Sequence, residues 1–147
     1  MTTPLQFSSW SDVGTVVRKF EQCEYLPGEF THAHHLAVAA WYLRENSPHQ
    51  TLEKLRSSLL HFTAHHKVKA YHETITRFWI EIVALSLASS SAESPINEVN
   101  QFLQRHSNKD EIFRYYSRER LQSDEARERW IEPDLHSLSS LEPAPGK

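Results

Sequence analysis

Imidazole is the side chain that both ligates transition metals and exchanges protons near neutral pH, and this chain of 147 residues carries ten histidines. Seven of them fall in three short stretches: His32, His34 and His35; then His61, His65 and His66; then His72. Three histidines, or two with a carboxylate, suit Zn, Fe or Cu and can leave a coordination position open. At an open position a metal lowers the pKa of bound water or polarises a carbonyl, while a spare carboxylate or imidazole moves the proton. The candidate ligands are His32, His35 and His72, with Glu21 or Glu24 as the accompanying carboxylate. Glu21, Tyr116 and Arg118 are the candidates for proton transfer and substrate positioning. A phenol and a guanidinium fork would hold a carboxylate or phosphate on a small polar substrate. His-x-x-His is a short signal, and the His-Glu-x-x-His signature is absent. The competing reading is that histidines near helix ends partner backbone carbonyls or decorate the surface. His61, His65 and His66 fit a solvated, pH-responsive face, and Cys23 a small buried side chain.

Bringing these residues together requires helices. Ser11 can cap a first helix over about 11–24, where Val13, Val16, Val17 and Phe20 follow one buried face until Leu26-Pro27-Gly28 interrupts. Thr31 can cap a second over 31–46, apolar nearly all round from Leu36 to Leu43 and so expected at the centre. Ser47-Pro48 opens a third, to about His66, and Ser94-Pro95 a fifth over 95–106. Between them the fourth, over 71–88, lines up Tyr71, Ile75, Phe78, Ile82 and Leu85, placing His72 at the edge of the buried face and Glu73 outward. Shorter pieces are expected near 109–116 and 124–130, capped by Asn108 and Ser123.

Short connections favour antiparallel neighbours, so the expected fold is all-α: an up-down helical bundle with a short-helix C-terminal extension. A single domain over 1–135 is expected, with a poorly ordered Ser- and Pro-rich tail over 136–147. In that topology the three histidine stretches and the end of the first helix meet at one end.

Net charge −3 and pI near 6.4 supply no basic field for a phosphate backbone, which argues against nucleic acid. No apolar run approaches membrane-spanning length, Met1–Trp10 lacks a signal-peptide pattern, and a lone Cys23 fits a reducing compartment. A cytoplasmic protein is expected.

Phe20-Glu21-x-Cys23, Thr31-His32-x-x-His35-Leu36, Tyr71-His72-Glu73-Thr74-Ile75-Thr76, Tyr116-Ser117-Arg118-Glu119-Arg120-Leu121 and Trp130-x-Glu132-Pro133-Asp134-Leu135 together resemble a bacterial family of small helical proteins. That resemblance implies no particular reaction. A looser architectural likeness is to the DinB-like bundles, which gather metal-binding histidines from different helices. The leading expectation is therefore a metal-binding helical bundle, an enzyme if the metal keeps an open position. The alternatives are a non-catalytic interaction or regulatory bundle, able to pair as a homodimer through an apolar helix face, and a metal-free binder of a small ligand.

Overall fold

A computed structural model describes residues 6–90 and 94–138, and among these it contains helices and no strand. The helices are α1 (Trp10–Glu21), α2 (His32–Leu43), α3 (Pro48–His65), α4 (Glu73–Ala88), α5 (Pro95–Arg105), α6 (Arg118–Leu121) and α7 (Asp124–Glu128). Two tighter 3-10 segments, Pro27–Glu29 and Lys109–Arg114, link α1 to α2 and α5 to α6. None of the described helices is long and apolar enough to cross a membrane.

Local chemistry explains most of the boundaries. Ser47, Ser94, Ser117 and Ser123 each accept a backbone N–H three residues on, and proline follows directly after the first two. Ser9, not Ser11, caps α1. Helix α1 also stops three residues earlier than its apolar pattern suggests. After Gln22 the chain turns through Cys23 at φ 58°, with Cys23 N–H bonded to the Phe20 carbonyl and Glu24 N–H to the Lys19 carbonyl. That pair of bonds is a Schellman ending, and α3 ends the same way through Lys67, also at φ 58°. Glycine usually occupies that left-handed position because it has no Cβ to clash.

Helix α2 takes the centre that its composition demands. Leu36, Ala37, Val38, Ala39, Ala40 and Tyr42 are buried, and the helix packs against α1, α3, α4 and α5. Its small residues let neighbours approach closely, and so does Gly14 of α1: a Cβ there would come within 2.7 Å of the Trp41 ring. Trp41 in turn stacks on Trp10 at 5.0 Å between centroids.

One end of the bundle is closed by aromatic rings. Phe30, just before α2, stacks on Phe20 of α1 at 4.3 Å and meets Phe62 of α3 at 5.7 Å. The end of α5 arrives there too, because His32 Nε2 donates to the His106 carbonyl at 2.8 Å. The extension after α5 then folds back over α4. Tyr116, wholly buried, donates to the Ile131 carbonyl at 2.6 Å, and Thr74 ties the same strap through the Arg129 carbonyl and the Ile131 N–H. Leu138 rests partly buried on the core. Residues 139–147 of the expected tail lie outside the described residues.

Candidate functional site

Where the start of α2, the end of α3, the start of α4 and the Lys109–Arg114 turn converge, the packing leaves a cavity of about 450 Å³. That volume lies in the usual range for small-molecule pockets. Its walls are mostly apolar: Phe30, Ala39, Leu55, Leu59, Phe62, Ile75, Trp79, Ile80, Ile112, Phe113 and Leu121. Val68, Ala70, Lys109 and Asp110, all exposed, mark its mouth. His32, His35 and His72 all line it. The histidines expected to converge therefore do share one cavity, but their rings are held in three different ways.

His72 is the N-cap of α4 rather than a residue within it. Its Nδ1 accepts the Ile75 N–H at 3.1 Å, which fixes the proton on Nε2, and Nε2 donates to the Leu121 carbonyl at 2.8 Å. Both nitrogens are engaged. In this arrangement the ring has no lone pair to offer a metal. Burial, the larger influence, holds the His72 pKa below its ordinary value, with the Leu121 hydrogen bond opposing.

His32 donates Nε2–H to the His106 carbonyl, sets its ring edge against Trp79 at 4.4 Å, and keeps a lone pair on Nδ1. Burial lowers its pKa as well, partly offset by that carbonyl.

His35 differs from both. Its ring meets Phe30 edge-on at 4.4 Å, and neither of its nitrogens has a hydrogen-bond partner among the described residues. Enclosure in apolar surroundings pushes its pKa down to about 4, with His32 and His34 adding a smaller push in the same direction. At neutral pH it is an uncharged imidazole with one N–H and one lone pair, and the surface it retains opens into the cavity.

The remaining histidines take other roles. His34 accepts from the Thr31 N–H at 3.1 Å and helps cap α2. His61 and His65 are exposed. His106 pairs with Glu111 at 2.9 Å.

No set of three or more His, Cys, Asp or Glu side chains is grouped to hold a metal among the described residues. Glu21 lies outside the cavity lining and accepts from the Tyr42 hydroxyl at 2.6 Å, while Glu24 is exposed. Tyr116 is a core strut, as described. Arg118 is exposed and outside the cavity lining, with its guanidinium 4.1 Å above the ring of Phe113, which does line it.

A half-buried ion pair beside the cavity was not foreseen from the sequence. Glu73, the first residue of α4, is buried rather than outward-facing, and receives Arg56 Nε at 2.9 Å and Nη2 at 2.6 Å. Tyr71, whose ring lines the cavity, donates its hydroxyl to the same carboxylate. Arg56 holds the Glu73 pKa below the ordinary carboxylate value against the opposing effect of burial. The fork therefore fixes the α3–α4 corner and orients Tyr71.

The cap role of His72 makes a prediction that separates it from a ligand role. His72→Ala should lower stability by about 1.5 kcal/mol in metal-free urea unfolding, about 1 for the lost cap and the rest for leaving the Leu121 carbonyl unpaired. A stability unchanged without metal would contradict the cap assignment.

No protein-family model, curated protein or solved structure matches the chain, so the reading of this site rests on its own geometry.

Proposed function

We propose that the protein binds a small, mostly apolar molecule in the cavity at the histidine end of the bundle, with His35 as its polar anchor. The observation that carries this reading is a ring with two unpartnered nitrogens in the lining of a mostly apolar cavity of about 450 Å³. An imidazole with one free donor and one free acceptor on a largely apolar wall is the kind of sparse polar group that orients a ligand in small-molecule pockets. The reading assigns binding and no reaction. The buried free thiol of Cys23 fits a reducing compartment, so cytoplasmic residence belongs to the same proposal.

Butylbenzene is a suitable first probe, since it is apolar and fits the aromatic walls. Saturable binding should appear in calorimetry and as a change in Trp79 fluorescence. Ala70→Trp, which places a large ring at the exposed mouth and leaves the core alone, should weaken that binding about tenfold or more. Equal binding by the parent and the variant would place the probe elsewhere.

A second reading keeps the metal. His32 retains a free Nδ1 and lines the same cavity as His35, so these two imidazoles could take Zn, Fe or Cu between them. A third histidine ligand would require His72 to release the cap of α4. Elemental analysis of untagged protein loaded with Zn(II), repeated on His32→Ala and His35→Ala, distinguishes the readings. Stoichiometric zinc lost in both variants supports the metal, and zinc absent from the parent removes it.

A further inference from the structure

We infer that the ligand is an uncharged molecule bearing a single hydroxyl-type hydrogen-bonding group, held against His35 on the cavity wall, and that the cavity rejects carboxylates. This rests on the binding reading above and narrows its ligand class.

The polar groups that line the cavity are nearly all committed to the protein. Tyr71 donates to Glu73, Thr63 to the Leu60 carbonyl and Thr76 to the His72 carbonyl, and His72 is engaged at both nitrogens. Polar atoms left over are the two nitrogens of His35 and Nδ1 of His32, with Lys109 and Asp110 at the mouth. A hydroxyl suits the place beside His35. It can donate to one imidazole nitrogen or accept from the other, and which one depends only on the tautomer.

Charge is poorly received there. From α3 only Leu55, Leu59, Phe62 and Thr63 line the cavity, and from the residues just before α4 the titratable groups are Tyr71 and His72, both already hydrogen-bonded. His32 and His34 flank His35 on its own helix, and each is held toward its neutral form by burial. Lys109 and Asp110, on the 3-10 turn, are exposed and of opposite sign. A carboxylate beside His35 would have no standing cation to meet. It would enter with a proton, carried on the ring or on the carboxyl itself, and both groups lack that proton at pH 7.

Three probes of nearly equal size test this on the unaltered protein: butylbenzene, para-butylphenol and para-butylbenzoate. The phenol, uncharged below about pH 9, should bind roughly fivefold tighter than the hydrocarbon. The benzoate should bind at least about a hundredfold more weakly than the phenol at pH 7, and the gap should close about tenfold per pH unit toward pH 5 as the required proton becomes available. In His35→Leu the phenol should lose its advantage while butylbenzene still binds. Lys109→Ala should leave the order of the three unchanged.

The outcomes separate cleanly. If none of the probes binds, the binding reading itself fails. If butylbenzene binds but the phenol gains nothing over it, or the benzoate binds within tenfold of the phenol without pH dependence, the cavity is real and the ligand class is wrong. The order of the probes needs no variant, so it decides the matter even if His35→Leu does not fold.

Discussion

His35→Leu is expected to resist acid better than the unaltered protein. Between pH 6.5 and pH 4 the unaltered protein should lose about 3 kcal/mol of stability through this residue alone, and the variant should be spared that loss. The sign follows from where the proton binds. In the unfolded chain His35 takes up a proton below about pH 6.5, whereas in the folded protein its pKa is pushed down to about 4. Across that window the unfolded state holds more protons, so stability falls as pH falls; above 6.5 neither state is protonated and the difference vanishes. His32, His34 and His72 are shifted in the same direction by burial, so some acid sensitivity remains in the variant. Urea midpoints at pH 7 and pH 4.5 measure the effect. At pH 7 the variant should match or exceed the parent, because leucine replaces a ring whose nitrogens have no partner. Identical acid dependence in the two proteins would mean that His35 takes up its proton as readily in the fold as in the unfolded chain, and the enclosed, apolar setting assigned to it would be wrong. A residue that costs stability and still lines a cavity fits selection for binding rather than for folding.

How much of this was legible in the sequence depended on which interaction sets each feature. The Ser caps at 47, 94 and 123, the proline openings and the apolar Leu36–Leu43 stretch of α2 are local, and the structure follows them closely. Convergence of His32, His35 and His72 on one cavity followed from short connections between helices, which is also near-local information. The ring assignments did not follow, because they depend on acceptors 74 and 49 residues away in sequence: the His106 carbonyl for His32 and the Leu121 carbonyl for His72. The end of α1 was obscured for another reason. Cys23 and Lys67 hold left-handed positions where glycine would have announced a stop. Glu73 was misplaced outward because counting the fourth helix from residue 71 treats it as an interior position. It begins α4 instead, where the helix dipole and Arg56 both favour a carboxylate.

Removing that guanidinium should expose how much the α3–α4 corner depends on it. Arg56→Met leaves the Glu73 carboxylate, about nine-tenths buried, with Tyr71 as its remaining side-chain hydrogen-bond partner. Breaking a fully buried pair costs roughly 3–5 kcal/mol. The Arg56 side chain is 38% exposed, so solvent screening reduces the expected loss at pH 7 to about 2 kcal/mol. The pH dependence identifies the cause. In the unaltered protein the Glu73 pKa is depressed, so its contribution is present above the ordinary carboxylate value and fades as pH falls through the folded one. Without Arg56 the opposing effect of burial dominates and that pKa rises, so the variant recovers relative to the parent on acidification. The difference in unfolding free energy should therefore be largest near pH 7 and close toward pH 3.5. Adding Glu73→Gln should restore most of the loss, since the stranded charge rather than the missing arginine is what costs. A deficit that persists unchanged at low pH, or is untouched by Glu73→Gln, would assign Arg56 to packing instead. Because Tyr71 both bonds Glu73 and lines the cavity, the same variant should weaken butylbenzene binding, coupling the ion pair to the site.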